Sequence, residues 1–200
     1  MTIEIRKGIL FLKKRNRNFL LIICFVIIGV LYIQYLQSNK PSNKNHSITI
    51  PTELNPIVKE RTNQLIQQAA KKGITVVITD GFRSAKDQDQ LYQKGRTVSG
   101  NIVTNAKGGE SYHNYGLAVD FALKTPSGKI IWDMKYDGNK NSKPDWYEVV
   151  DLAKKLGFTW GGDWPKFKDY PHLQMDFGLS IADLQNGVKP DASSLTVDSN

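Results

Sequence analysis

The chain is short of three things. It has one cysteine and three histidines among 200 residues, and its positive charge is missing from most of its length. A single Cys24 excludes an intrachain disulfide, so a folded domain must be held by its apolar core. No internal repeat is present. Of the histidines, His46 lies in a polar, non-periodic stretch and reads as solvated, which leaves His113 and His172 for chemistry.

The net charge of +8 resembles a nucleic-acid signal until it is located. Residues 1–18 carry Arg6, Lys7, Lys13, Lys14, Arg15 and Arg17 against Glu4, whereas from Pro51 onward 19 basic residues face 18 acidic ones. The excess is therefore a topology signal, and nucleic acid is not an expected partner. It precedes an uncharged apolar run, 19–36, with one polar residue, Gln34. Its length is at the short end of the roughly 17–25 residues that span a bilayer. A cleaved signal peptide would end in small residues, but Tyr32, Tyr35 and Leu36 stand there. The expectation is a single-pass anchor with 1–18 in the cytoplasm, a polar tether over 37–50 and a folded domain over 51–187 outside the membrane. A disordered tail over 188–200 completes the chain.

Within the domain, Pro51–Lys72 reads as a helix with Val58, Thr62, Leu65, Ile66 and Ala69 along one stripe. Ile74–Thr79 is a β-branched run expected to be buried on both faces. Ser84 caps a helix over Ala85–Lys94, and Arg96–Glu110 is a loop. Leu117–Leu123 is a strand placing Ala118, Asp120 and Ala122 on one face, so that the carboxylate stands between two small side chains. Lys129–Trp132 pairs back as a hairpin. Asp145–Leu156 is a helix with Trp146, Val149, Val150 and Ala153 inward, and Phe158–Phe167 forms an aromatic wall. Pro171–Phe177 is a last strand with His172, Gln174 and Asp176 alternating against Leu173, Met175 and Phe177, and Ile181–Gln185 is a short closing helix. The order α-β-α-β-β-α-β predicts an α+β fold with a small, mostly antiparallel sheet flanked by helices.

His113, Asp120 and His172 offer two nitrogens and one oxygen, the donor types of a hydrolytic zinc site with an open position. The spacing by itself leaves open that they are ordinary histidines and a turn-capping aspartate. Hydrolysis also needs a base and an oxyanion donor. Asp169 lies three residues before His172, and Arg83 follows a strand end. Their bland readings are a turn residue before Pro171 and a surface ion pair.

Three ordered motifs then carry a resemblance: Gly81-Phe-Arg-Ser84, Ser111-x-His-x-x-Gly-x-Ala-x-Asp120 and Asp169-x-Pro-His172. Together they resemble the VanY/VanX-like D-alanyl-D-alanine peptidases, zinc enzymes that cut bacterial cell-wall peptides. They are more similar to the CwlK-type branch of L-alanyl-D-glutamate endopeptidases. The similarity runs from about Asn55 to Met175 and includes Thr104–Gly116, Ile131–Met134 and Trp160–Trp164. The resemblance implies a hedgehog-like peptidase fold, with zinc on His113, Asp120 and His172. It implies Asp169 as base, Arg83 as stabiliser of the scissile carbonyl, and Ser111 near the substrate. Carboxypeptidase relatives usually carry glutamate at the base position. The endopeptidase branch has aspartate, as here. The expected activity is therefore hydrolysis of the L-Ala–D-Glu bond in peptidoglycan stem peptides. D-alanyl-D-alanine carboxypeptidase activity and a non-catalytic wall-binding module are the alternatives.

A second metal pattern stands apart. Asp137, Asn139, Asn141, Asp145 and Glu148 fall at positions 1, 3, 5, 9 and 12 of an EF-hand-like loop, which makes calcium a candidate ligand. Ser142 replaces the glycine usual at position 6. The bland reading is a polar loop leading into a capped helix.

Overall fold

The computed structural model describes residues 28–30, 32, 34 and 51–191. Most of the apolar run, the tether with His46 and the tail beyond Asp191 lie outside the described residues. Ile28, Gly29, Val30, Tyr32 and Gln34 are helical and exposed. Among the described residues no helix is long and apolar enough to cross a membrane. Chain contacts divide the protein into Met1–Ser47 and Ile48–Asn200, and the second unit holds the fold.

That unit opens with α1 (Pro56–Lys71) rather than at Pro51. Pro56 disfavours helical geometry at Asn55, whose side chain instead accepts from the Ile57 amide at 2.9 Å and caps the helix. Val58, Thr62, Leu65 and Ala69 form its buried stripe, with Ile66 partly covered. After β1 (Val76–Asp80) come α2 (Ala85–Gln93), β2 (Ala118–Lys124) and β3 (Ile130–Ile131). They are followed by α3 (Asp145–Lys155), β4 (Thr159–Trp160), β5 (His172–Gln174) and α4 (Ile181–Gln185). The sheet order is β1-β2-β5-β4 with β3 also on β2, and every pairing is antiparallel. The α+β expectation holds.

β2 is the central strand, and its two faces differ as its alternation requires. Leu117, Val119, Phe121 and Leu123 enter the core with α1, α3 and the inward side of β5. The Phe121 and Trp146 rings lie 4.4 Å apart across the sheet–helix boundary. Trp146, Val149, Val150 and Ala153 are all buried, as the α3 periodicity predicts.

Two strands differ from expectation. β1 is not buried on both faces: Thr75 and Thr79 are exposed, because the strand lies at the sheet edge and pairs only with β2. β5 stops at Gln174 instead of reaching Phe177. β2 begins at Ala118, opposite Gln174, so the chain beyond has no ladder to join. It turns through Phe177 and Gly178, both at positive φ. Leu173, Met175 and Phe177 still point into the core.

Candidate active site

Sheet register brings the first two ligand candidates together. Asp120 on β2 stands directly opposite His172 on β5, so both side chains leave the same face. His113 comes from a 3₁₀ turn, Tyr112–Tyr115, that sequence periodicity did not reveal. Ser111 caps this turn. Asn114 pins it by accepting from the amides of Gly109 and Ser111 and donating to the Arg83 carbonyl at 2.9 Å. Gly116 closes the turn at φ +68°. Its bare α-carbon lets the Glu53 backbone pass, where a side chain would collide.

The three ligand atoms form a near-equilateral triangle. His113 Nε2 lies 3.2 Å from His172 Nδ1, and Asp120 Oδ1 lies 3.4 and 3.3 Å from these nitrogens. Tetrahedral zinc with bonds of about 2.0–2.1 Å spaces its ligand atoms about 3.3–3.4 Å apart. Each imidazole is also oriented from behind. His113 Nδ1 donates to the Gly81 carbonyl at 2.7 Å, and His172 Nε2 donates to Gln174 Oε1 at 3.0 Å. Those donations place the ring protons away from the triangle, so two bare nitrogens and a carboxylate oxygen face one another. Asp120 Oδ1 is buried and has no hydrogen-bond donor. Such an arrangement is repulsive by itself and suits a cation at its centre. Among the described residues it is the only group of three His, Cys, Asp or Glu side chains whose ligand atoms come this close together.

Charge is shifted as this packing demands. In the absence of a cation, burial opposes the Asp120 charge, yet hydrogen bonds and positive charge from the two histidines outweigh it and hold the carboxyl well below its usual range. Burial likewise opposes a proton on His172, but Asp120 and Gln174 push its pKa up.

The remaining candidates line one cleft of about 660 Å³ with the triad: Arg83, Ser111, Trp164 and Asp169. The Asp169 carboxyl is pushed up, by burial first and then by the nearby Asp120 charge, while His172, His113 and Arg83 act against that rise. Its backbone is fixed on the Trp160-Gly-Gly-Asp-Trp164 segment, where the Asp169 amide donates to the Gly161 carbonyl at 3.2 Å. Any side chain at Gly161 would strike the Asp169 carbonyl. Trp164 packs against the His172 ring with centroids 5.1 Å apart. The expected aromatic wall is present.

Arg83 is not a free surface side chain. Its guanidinium pairs with Asp80 and donates to Gln88 Oε1 at 2.7 Å. Gln88 is fully buried and also donates to the Ala106 carbonyl at 2.8 Å, joining Arg83 to the loop that borders the cleft. Sequence reading missed these supports. Gln174 shared the His172 face in the strand alternation and could have been found. Gln88 sits in a short, mostly polar helix in which Leu91 and Tyr92 are the only large apolar residues, too few to mark a buried face.

The chain is similar to known proteins over the same residues. A family model for D-alanyl-D-alanine carboxypeptidase matches residues 104–175. The peptidoglycan L-alanyl-D-glutamate endopeptidase CwlK of Bacillus subtilis (strain 168) is 58% identical over 155 residues, covering 77% of this chain and 93% of that one. The L-alanyl-D-glutamate peptidase of Listeria phage A118 is 32% identical over 146 residues, 69% of this chain and 46% of the phage protein. The crystal structure of DacB from Streptococcus pneumoniae D39 aligns with a TM-score of 0.46 at 22% identity, over 72% of this chain and 83% of that one. Identity of this level across nearly the whole of CwlK means that the chain belongs to the D-alanyl-D-alanine peptidase family of zinc peptidases, in the branch that contains CwlK.

Proposed function

We propose that this chain is a peptidoglycan peptidase that hydrolyses the L-Ala–D-Glu bond of stem peptides. The observation that carries this reading is the convergence of three ligand atoms with Asp169 and Arg83 in one cleft. The L-alanyl-D-glutamate bond in the names of both relatives supports the choice of bond.

His113, Asp120 and His172 would hold the zinc, and their donor set and spacing fit it. Zinc, when bound, supplies Lewis acidity, which polarises a carbonyl and lowers the pKa of water. Asp169 accepts the proton of the attacking water. Its carboxylate lines the same cleft as the three ligands, where that water would stand. The same group then delivers that proton to the departing amine. Arg83, held in place by Asp80 and Gln88, donates to the scissile oxygen as negative charge develops. Ser111 lines the cleft and contacts the peptide.

The chain's amino-terminal part completes the proposal. The basic segment 1–18 stays in the cytoplasm, 19–36 anchors the protein in the cell membrane, and 51–187 faces the wall across the 37–50 tether. The charge distribution and the uncharged apolar run support this topology.

Digestion of muropeptides with and without chelator, read by mass spectrometry, tests the activity. The expected result is chelator-sensitive cleavage between L-Ala and D-Glu. Release of free D-alanine with that bond intact would identify a carboxypeptidase. Bound zinc with no turnover of any muropeptide would identify a wall-binding module.

A further inference from the structure

The face of the sheet opposite the zinc ligands packs on α1 and α3, and there the peptidase reading leaves a second polar cluster without a role. The twelve residues Asp137–Glu148 lead from the end of the hairpin into the first turn of α3. Asp137, Asn139, Asn141, Asp145 and Glu148 occupy positions 1, 3, 5, 9 and 12, where an EF-hand loop places its oxygen ligands. The backbone follows the same plan. The Asp137 carboxylate accepts from the amides of Asn141 at 3.1 Å and Ser142 at 2.9 Å, which folds the loop around its first acidic group. Ser142, at position 6, has φ +67°, the conformation for which the motif normally uses glycine.

The side chains converge as well. The amides of Asn139 and Asn141 lie 3.0 and 2.8 Å from Glu148 Oε2, so positions 3, 5 and 12 meet at one point. The Lys72 ammonium sits 2.9 Å from Glu148 Oε1. Asp145 is only 2% exposed. One of its oxygens accepts from the Gly138 amide inside the loop at 3.1 Å, and the other, Oδ1, is buried with no hydrogen-bond partner. A buried carboxylate oxygen left unpaired is costly and calls for a ligand.

We propose that the Asp137–Glu148 loop binds a calcium ion. The donors are all oxygen: carboxylates of Asp137, Asp145 and Glu148, amide oxygens of Asn139 and Asn141, and the Lys143 carbonyl at position 7. Hard donors in this number select calcium over zinc, and a flexible loop selects it over magnesium, which demands a near-ideal octahedron. Without the ion, Asn139 Oδ1 and Asn141 Oδ1 accept from the amides of Asn141 and Lys143 at 3.1 and 2.9 Å, so ion binding exchanges these hydrogen bonds for coordination as the side-chain amides turn. The Lys72 ammonium supplies positive charge to Glu148 when no ion is bound and leaves when one arrives. Two neutral side-chain ligands and a serine at position 6 place the affinity in the weak range of extracellular modules, about 10⁻⁴–10⁻³ M. Lys72 and Asn139 join the end of α1 to the first turn of α3. The ion therefore braces two core helices and takes no part in hydrolysis.

Zinc-loaded full-length protein, titrated with calcium chloride in a calorimeter and then melted, tests the site. The expected result is saturable binding of one ion per chain with a rise in Tm, and magnesium chloride at least about tenfold less effective. Asn141→Ala, at an exposed position, should lose the calcium-dependent rise while keeping muropeptide hydrolysis. Ser142→Gly should bind calcium more tightly than the parent. Absence of heat and of any Tm shift at millimolar calcium would overturn the proposal, as would a full calcium response in Asn141→Ala.

Discussion

The two polar clusters of this protein are built in opposite ways. The triad of His113, Asp120 and His172 draws on a 3₁₀ turn and two strands, and only the register of β2 against β5 brings them within 3.4 Å. The Asp137–Glu148 cluster is continuous in sequence and organised by its own backbone amides. One presents bare nitrogens across a buried triangle. The other presents oxygens and amides, with a lysine already in attendance. A site assembled by tertiary structure is rigid and sits at a cleft, whereas a site contained in a loop can respond locally and serve stability. If that division is right, the two clusters fail separately.

The largest effect is expected from His113→Ala. It should remove bound zinc, measured by metal analysis, and abolish muropeptide hydrolysis, while the calcium response of the loop persists. Loss of both metal responses together would break the comparison. Asp169→Ala should keep zinc and lower kcat/KM by about 10²–10⁴-fold, the range of a lost general base. Disappearance of zinc from that variant would remove Asp169 from its role. Gln174→Ala should weaken zinc about 10–100-fold in a competition titration, because His172 loses the acceptor that orients it. Unchanged affinity would mean that the strand alone aims the imidazole.

The smallest effect concerns Glu148 and sharpens the other half of the comparison. Burial opposes its charge, but the Lys72 ammonium and the amides of Asn139 and Asn141 prevail and hold its pKa below the ordinary 4.5. A carboxylate with a depressed folded pKa adds stability above its unfolded value, and that contribution is lost as pH falls through the folded one. In calcium-free buffer the Tm gap between wild type and Glu148→Gln should be widest near neutrality. It should close as pH drops below about 4.5. A gap independent of pH would show that the Lys72 pairing adds nothing.

Legibility in the sequence followed the same division. The EF-hand spacing could be read from twelve adjacent letters, and the β2 alternation placed Asp120 between Ala118 and Ala122, away from the core. Nothing local stated that Asp120 and His172 would be register partners, and without the family motifs the triad remained a loose pattern. β1 misled because β-branched residues suit an edge strand as well as a central one. The start of α1 was misjudged because Asn55, not Pro51, supplies the cap. The supports behind the site were the least visible. The Gly81 carbonyl has no side-chain signature, and Gln88 is a buried amide in a mostly polar helix.

The pairing of Asp120 with His172 also bears on how such a chain can change over generations. Side chains alternate with a period of two, so adding or losing one residue within Ala118–Lys124 would exchange the strand's faces, burying the aspartate and exposing Phe121. Core and chemistry would fail in the same event. An insertion or deletion in β2 is therefore expected to cost both fold and zinc site, whereas one in the exposed stretch 97–103 shifts neither face of the strand.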